Sequence, residues 1–124
     1  MTRTGYIVFA HGSSVESANQ AVRLVAAQMS ERGGFESVAA FLEGGKPDLQ
    51  GAVDALAGRV DRIVVIPYFL TLGLHLQRDL PRLIESLRQA HPALAIEVTA
   101  PLDGHPAMVE ALLDRARTYA GQAD

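Results

Sequence analysis

Short β-branched runs alternate four times with longer stretches of helical period, and that alternation constrains the fold more than any other feature of this chain. Strand and covering helix, repeated, wind a parallel sheet through right-handed crossovers. Tyr6-Ile-Val-Phe-Ala10 is apolar on both faces, as a strand in the middle of such a sheet must be. His11-Gly-Ser-Ser14 follows as a turn whose hydroxyls can cap a helix, and Ala18, Val22, Val25, Ala26 and Met29 then recur at helical spacing up to Gly33-Gly34. Residues 37–42 give a second strand, Glu43-Gly-Gly-Lys46 a loop, and Pro47 the first turn of a helix with Leu49, Val53 and Leu56 on one face. Arg62-Ile-Val-Val-Ile66 is the third strand, stopped by Pro67.

The spacing next predicts a long apolar loop over 68–76. After it comes a helix carrying Leu80, Leu83, Ile84 and Leu87, with Asp79 as N-cap and Pro81 either in its first turn or at a kink. Residues 94–99 form the fourth strand, 101–105 a loop, and Pro106 opens a last helix through Met108, Leu112, Leu113 and Ala116. The expected architecture is α/β: a three-layer sandwich with a four-stranded parallel sheet in the flavodoxin-like order 2-1-3-4, flanked by helices, as one domain over 1–124. A chain of 124 residues with 48% hydrophobic and 20% charged residues suits one such domain and can build its core.

Charge and composition narrow the function classes. With 11 basic against 14 acidic residues the net charge is -3, so a general nucleic-acid binder, which needs a basic surface, is not expected. There is no cysteine, so disulfides, thiolate metal sites and cysteine nucleophiles are excluded and any metal must be held by imidazole or carboxylate. The N-terminal apolar run from Tyr6 to Ala10 is far shorter than the roughly 20 residues that span a bilayer or the core of a signal peptide, so no membrane partner is expected and the expected compartment is the cytoplasm.

In open parallel sheets ligands bind beyond the carboxyl ends of the strands, at the point where strand order reverses. His11 follows the first strand, Glu43 and Lys46 the second, the stretch to His75 the third, and His105 the fourth. If strands one and three are neighbours, His11 and His75 share the switch-point crevice, where paired imidazoles suit metal ligation or proton transfer near neutral pH. Phe69-Leu-Thr-Leu-Gly-Leu74 gives that crevice an apolar wall fit for a flat, largely apolar ligand. Glu43 is a third ligand or base, or a solvated loop carboxylate; Ser13 and Ser14 hold an anion at the helix start or simply cap it. Gly44-Gly45-Lys46 lacks the pattern of a nucleotide-binding P-loop, and His11-Gly12-Ser13 lacks that of a nucleophile elbow. His91 reads as a surface residue at a helix end and His105 as a helix-start residue.

Ile7-Val-Phe-Ala-His-Gly-Ser13, Val64-Val-Ile-Pro-Tyr-Phe-Leu70, Gly73-Leu-His75 and Asp79-Leu-Pro81 together resemble the small, single-domain sirohydrochlorin chelatases of the CbiX and SirB type, within the class II chelatases. The first piece is weak alone, whereas the string from Pro67 to Pro81 is specific and runs without a gap; with their order and spacing the resemblance extends over essentially the whole chain. It implies insertion of Co2+ or Fe2+ into the tetrapyrrole sirohydrochlorin, feeding cobalamin or sirohaem synthesis, by a homodimer whose two active-site histidines fall on His11 and His75. Pro101-Leu-Asp-Gly-His105 matches the family's corresponding segment only loosely, and Glu43 has no firm counterpart.

Metal insertion must remove pyrrole protons and strip water from the ion, so His11 and His75 are expected to bind the metal and relay protons, with Glu43 as helper. Ni2+ also lies within the range of imidazole ligands, and no organic cofactor is required. Phe69, Leu70 and Gly73 would meet the macrocycle, while Ser13, Lys46 and Arg78 are the nearest donors for its carboxylates. Two other readings stay open: a histidine phosphocarrier similar to the mannose-type phosphotransferase IIA domains, which leaves His75 without a role, and a non-catalytic tetrapyrrole or metal carrier.

Overall fold

The computed structural model describes residues 3–123 and contains eight alternating elements. They are β1 (Thr4–Ala10), α1 (Glu16–Gly33), β2 (Glu36–Phe41), α2 (Leu49–Ala57), β3 (Arg62–Pro67), α3 (Leu74–Ala90), β4 (Ala95–Val98) and α4 (Pro106–Ala123). The four strands are parallel and ordered β2-β1-β3-β4, as the crossover rules require of this pattern. Val8 pairs with Ala39 on one side and Ile66 on the other, so β1 lies between β2 and β3 and its apolar character on both faces is explained.

Alternate residues of β1 and β2 feed two cores, while β3 and β4 feed one. Ile7, Phe9, Ala40, Ile63, Val65 and Ile96 pack against Leu49, Val53 and Leu56 of α2 and Leu76, Leu80, Ile84 and Leu87 of α3. Val8, Ala10, Ala39 and Phe41 point to the opposite face, where Ala26, Val22 and Met29 of α1 cover them. Burying a side chain such as Phe9 or Leu56 contributes roughly 1.5–3 kcal/mol, and the larger α2/α3 layer therefore fixes the sheet.

Four local expectations are corrected. The predicted inward stripe of α1 holds for Val22, Val25, Ala26 and Met29, but Ala18 is exposed and its neighbour Asn19 is buried in its place. Val15, without a side-chain hydrogen bond, is the N-cap of α1; Ser13 Oγ instead accepts the Val15 N–H in a turn before the helix. Asp48, whose Oδ1 accepts from the Gly51 N–H at 2.8 Å, caps α2, and Pro47 stands just outside it. The helix α3 starts at Leu74 after Gly73, not at Asp79, and continues through Pro81. Proline removes one helical donor, but on the exposed side, while Leu76, Leu80, Ile84 and Leu87 anchor the helix across the missing bond.

The last helix leaves its apolar side chains open. Val109, Leu112 and Leu113 are 58%, 67% and 39% exposed, and α4 from Pro106 to Tyr119 has only Met108 half-buried. Its predicted apolar face is therefore present and uncovered.

Candidate active site

All loops that follow the strands meet at one edge of the sheet, and the loop after β1 sets the site. His11 is the first residue beyond β1, and the parallel ladder continues past the strand ends: the Leu42 N–H donates to the Ala10 carbonyl at 2.9 Å and the Glu43 N–H to the His11 carbonyl at 3.0 Å. Gly12 makes this close approach possible. It holds φ +92°, and a Cβ there would lie 1.6 Å from the Glu43 carbonyl oxygen. The consequence is that His11 and Glu43 are presented side by side, with His11 Nε2 3.6 Å from Glu43 Oε1 and both side chains open to solvent.

The loop after β3 builds the wall. The Tyr68 N–H donates to the Phe9 carbonyl at 2.7 Å, and the Phe69 ring packs edge-on against Phe9 with centroids 6.2 Å apart. The loop after β4 braces it, with the Leu102 and Asp103 N–H groups donating to the carbonyls of Phe69 and Leu70 at 2.9 and 2.7 Å. Gln77 Nε2 donates to the Leu72 carbonyl at 2.9 Å and closes the turn into α3. His75 thus stands in the first turn of a packed helix, its neighbour Leu76 buried in the core.

His11 and His75 line one cleft of about 310 Å³, walled by Leu42, Phe69, Gly73 and Leu74. Predicted Phe69 and Gly73 are in the wall; Leu70 is 62% exposed beside it. Glu43 reaches His11, yet among the described residues no three His, Asp or Glu side chains converge as a closed cation site. Lys46 and Arg78 are exposed and outside the lining; the Lys46 carbonyl accepts from Arg23 Nη2. The Ser13 N–H already donates to Asn19 Oδ1, so it is not a free donor for an anion. His105 Nδ1 accepts the Ala107 N–H at the start of α4, as a helix-start residue does, and His91 Nε2 is 2.8 Å from Asp54 Oδ1, a half-buried contact rather than a bare surface ring.

Electrostatic perturbation lies at the margin of the site. The Arg23 guanidinium, and next the Asn19 amide, hold the Glu16 carboxyl below its ordinary value. The reading of the sequence missed Asn19, which is 1% exposed and binds the loops of both β1 and β2. A polar residue in phase with Val22 and Ala26 on the inward face of α1 was the available signal.

The sequence model of the CbiX family matches residues 5–119. The sirohydrochlorin cobaltochelatase of Methanopyrus kandleri is 39% identical over 80 residues, which cover 63% of this chain and 56% of that protein. The chain thus spans little more than half the length of that relative. A crystal structure of a protein from Marinobacter aquaeolei VT8 that carries the CbiX name superposes with a TM-score of 0.85 at 28% identity, covering 96% of this chain and 98% of that one. The sirohydrochlorin chelatase SirB from Bacillus subtilis subspecies spizizenii, in complex with cobalt, superposes with a TM-score of 0.84 at 21% identity, covering 94% of this chain and 50% of that one, a likeness of fold.

Proposed function

The chain belongs to the CbiX family, and on that premise we propose that it inserts a divalent metal, Co2+ or Fe2+, into sirohydrochlorin, working as a homodimer in the cytoplasm. The observation that carries this is the shared cleft: His11 and His75, delivered by β1 and the start of α3, open onto one apolar-walled crevice at the switch point of the sheet. The name of the Methanopyrus kandleri relative supports the substrate and the metal.

The chemistry fits the groups present. Insertion exchanges two pyrrole protons for one dication, so the site must strip water from the ion and accept protons. Neutral imidazole does both: His11 and His75 offer ring nitrogens to the incoming metal and take pyrrole protons as it enters the ring. Glu43, beside His11, passes a proton on to solvent, since it is open to water. The metal is a substrate that must leave with the product, and an open pair of imidazoles releases it where a closed cage would retain it. The apolar wall of Leu42, Phe69 and Leu74 faces the macrocycle, and no organic cofactor enters the scheme.

Two features support the homodimer. The cleft of about 310 Å³ sits at the low end of the ~300–1,000 Å³ of ordinary ligand pockets, small for a tetrapyrrole, so a second subunit would complete its enclosure. The uncovered Val109, Leu112 and Leu113 on α4 give that subunit an apolar face to bury. Anaerobic absorbance of sirohydrochlorin with metal and protein, in wild type and histidine variants, tests the activity.

A further inference from the structure

Asn19 is a buried amide on α1 whose side chain binds nothing on its own helix except a weak contact to Glu16. Its Oδ1 accepts the Ser13 N–H at 3.0 Å, and its Nδ2 donates to the Ser13 carbonyl at 2.9 Å and to the Gly44 carbonyl at 3.1 Å. Ser13 lies two residues after His11, and Gly44 is the residue after Glu43. One side chain therefore ties together the two loops that carry the His11–Glu43 pair. Only a primary amide offers an acceptor and two donors in this arrangement; serine has one donor and aspartate has none when ionised.

The surrounding residues are cut to this tie. Gly44 has φ +73°, and a Cβ on Gly45 would lie 2.9 Å from Asn19 Nδ2 and 3.0 Å from the Phe41 ring, so the paired glycines let the second loop close over the amide. The Gly44-Gly45-Lys46 string, which has no phosphate-binding pattern, has this packing as its structural reason.

We infer that Asn19 is a positioning residue, one that sets the His11–Glu43 approach by fixing the loops after β1 and β2 to each other. The catalytic arm of this inference rests on the chelatase reading; the structural arm does not. Misplacing a proton-transfer pair by a fraction of an ångström lowers turnover with little change in binding.

The test compares Asn19→Ala with Ser37→Ala. Ser37 is also buried and ties β2 to α1 through Ser30 and the Ala26 carbonyl, away from the strand ends, so it controls for loss of stability alone. Asn19→Asp keeps the shape and the acceptor but not the donors, and serves if the alanine variant does not fold. Amide hydrogen exchange by NMR is expected to show the Leu42 and Glu43 amides opening about 100-fold faster relative to Ile63 in the Asn19 variants and unchanged relative to Ile63 in Ser37→Ala. Turnover with sirohydrochlorin and Co2+ is expected to fall about tenfold in kcat, with KM within about twofold, in the Asn19 variants only. Equal relative exchange in both sets of variants, or faster loop opening with wild-type kcat, would overturn the inference. Selective loop opening in a protein that does not metallate sirohydrochlorin would support the tie and remove the chelatase reading instead.

Discussion

His11 Nε2 lies 3.6 Å from Glu43 Oε1, across two neighbouring strand ends whose backbones are joined by the Glu43 N–H donating to the His11 carbonyl. Both side chains are largely exposed, at 59% and 70%, and an exposed pair of this kind contributes about 0–1 kcal/mol at most. The pair therefore adds little to folding, and the proposed role of Glu43 is in the reaction. Glu43→Gln is expected to lower kcat about tenfold to hundredfold by removing a proton acceptor, while the thermal midpoint is unchanged. Steady-state metallation kinetics beside a melting curve check this; wild-type kcat would detach Glu43 from the reaction.

Gly12 sustains that geometry by backbone alone. Gly12→Ala places a Cβ against the Glu43 carbonyl at a positive φ, and a loss of about 2–4 kcal/mol in urea unfolding is expected, together with loss of activity. Gly58→Ala, with open space around it and φ -81°, is the matched control and is expected to be neutral or slightly stabilising.

The face of α4 makes a prediction about assembly. Leu112→Glu puts a charge where the proposed dimer buries an apolar side chain that the single chain leaves 67% exposed. Sedimentation is expected to show dissociation constants raised about 100-fold or more, with the monomer still folded. A wild-type chain that is monomeric at every working concentration would contradict the homodimer.

One pair sets a pH dependence of stability. Arg62 Nε and Nη2 donate to the Glu97 carboxylate at 3.0 and 2.7 Å across β3 and β4, and this bonding holds the Glu97 carboxyl below its ordinary value. A carboxyl depressed in the folded state contributes stability that is present above its unfolded value and lost as pH falls through its folded value. The stability difference between wild type and Glu97→Gln is therefore expected to be constant near neutrality and to shrink below the ordinary glutamate range. Urea midpoints measured down the acid limb test this, and a difference that does not change with pH would contradict it.

Much of the fold was legible because parallel βα units leave strong marks. The doubly apolar run at Tyr6–Ala10 places β1 at the centre, and the switch-point rule then points to the strand ends that carry His11 and lead to His75. The start of α3 was hidden by Pro81, since proline inside a helix is costly and local rules moved the boundary to Asp79; burial of Leu76 and Leu80 overrode that preference. The phase of Asn19 with Val22 and Ala26 marks it as inward-facing but not what it binds, because its partners come from loops 6 and 25 residues away. The period of α4 marks an apolar face through Leu112 and Leu113, but a period does not say what covers it.

The central claim is tested most directly by the absorbance of sirohydrochlorin mixed anaerobically with Co2+ or Fe2+ and the purified protein. His11→Ala and His75→Ala run beside the wild type, and His91→Ala, whose ring is tied to Asp54 outside the cleft, serves as control. Metallation is expected to be accelerated by the wild type and by His91→Ala and to fall to the uncatalysed rate in both cleft variants, which remain folded. Binding of the tetrapyrrole with no acceleration by the wild type, or full turnover in either cleft variant, would contradict the account.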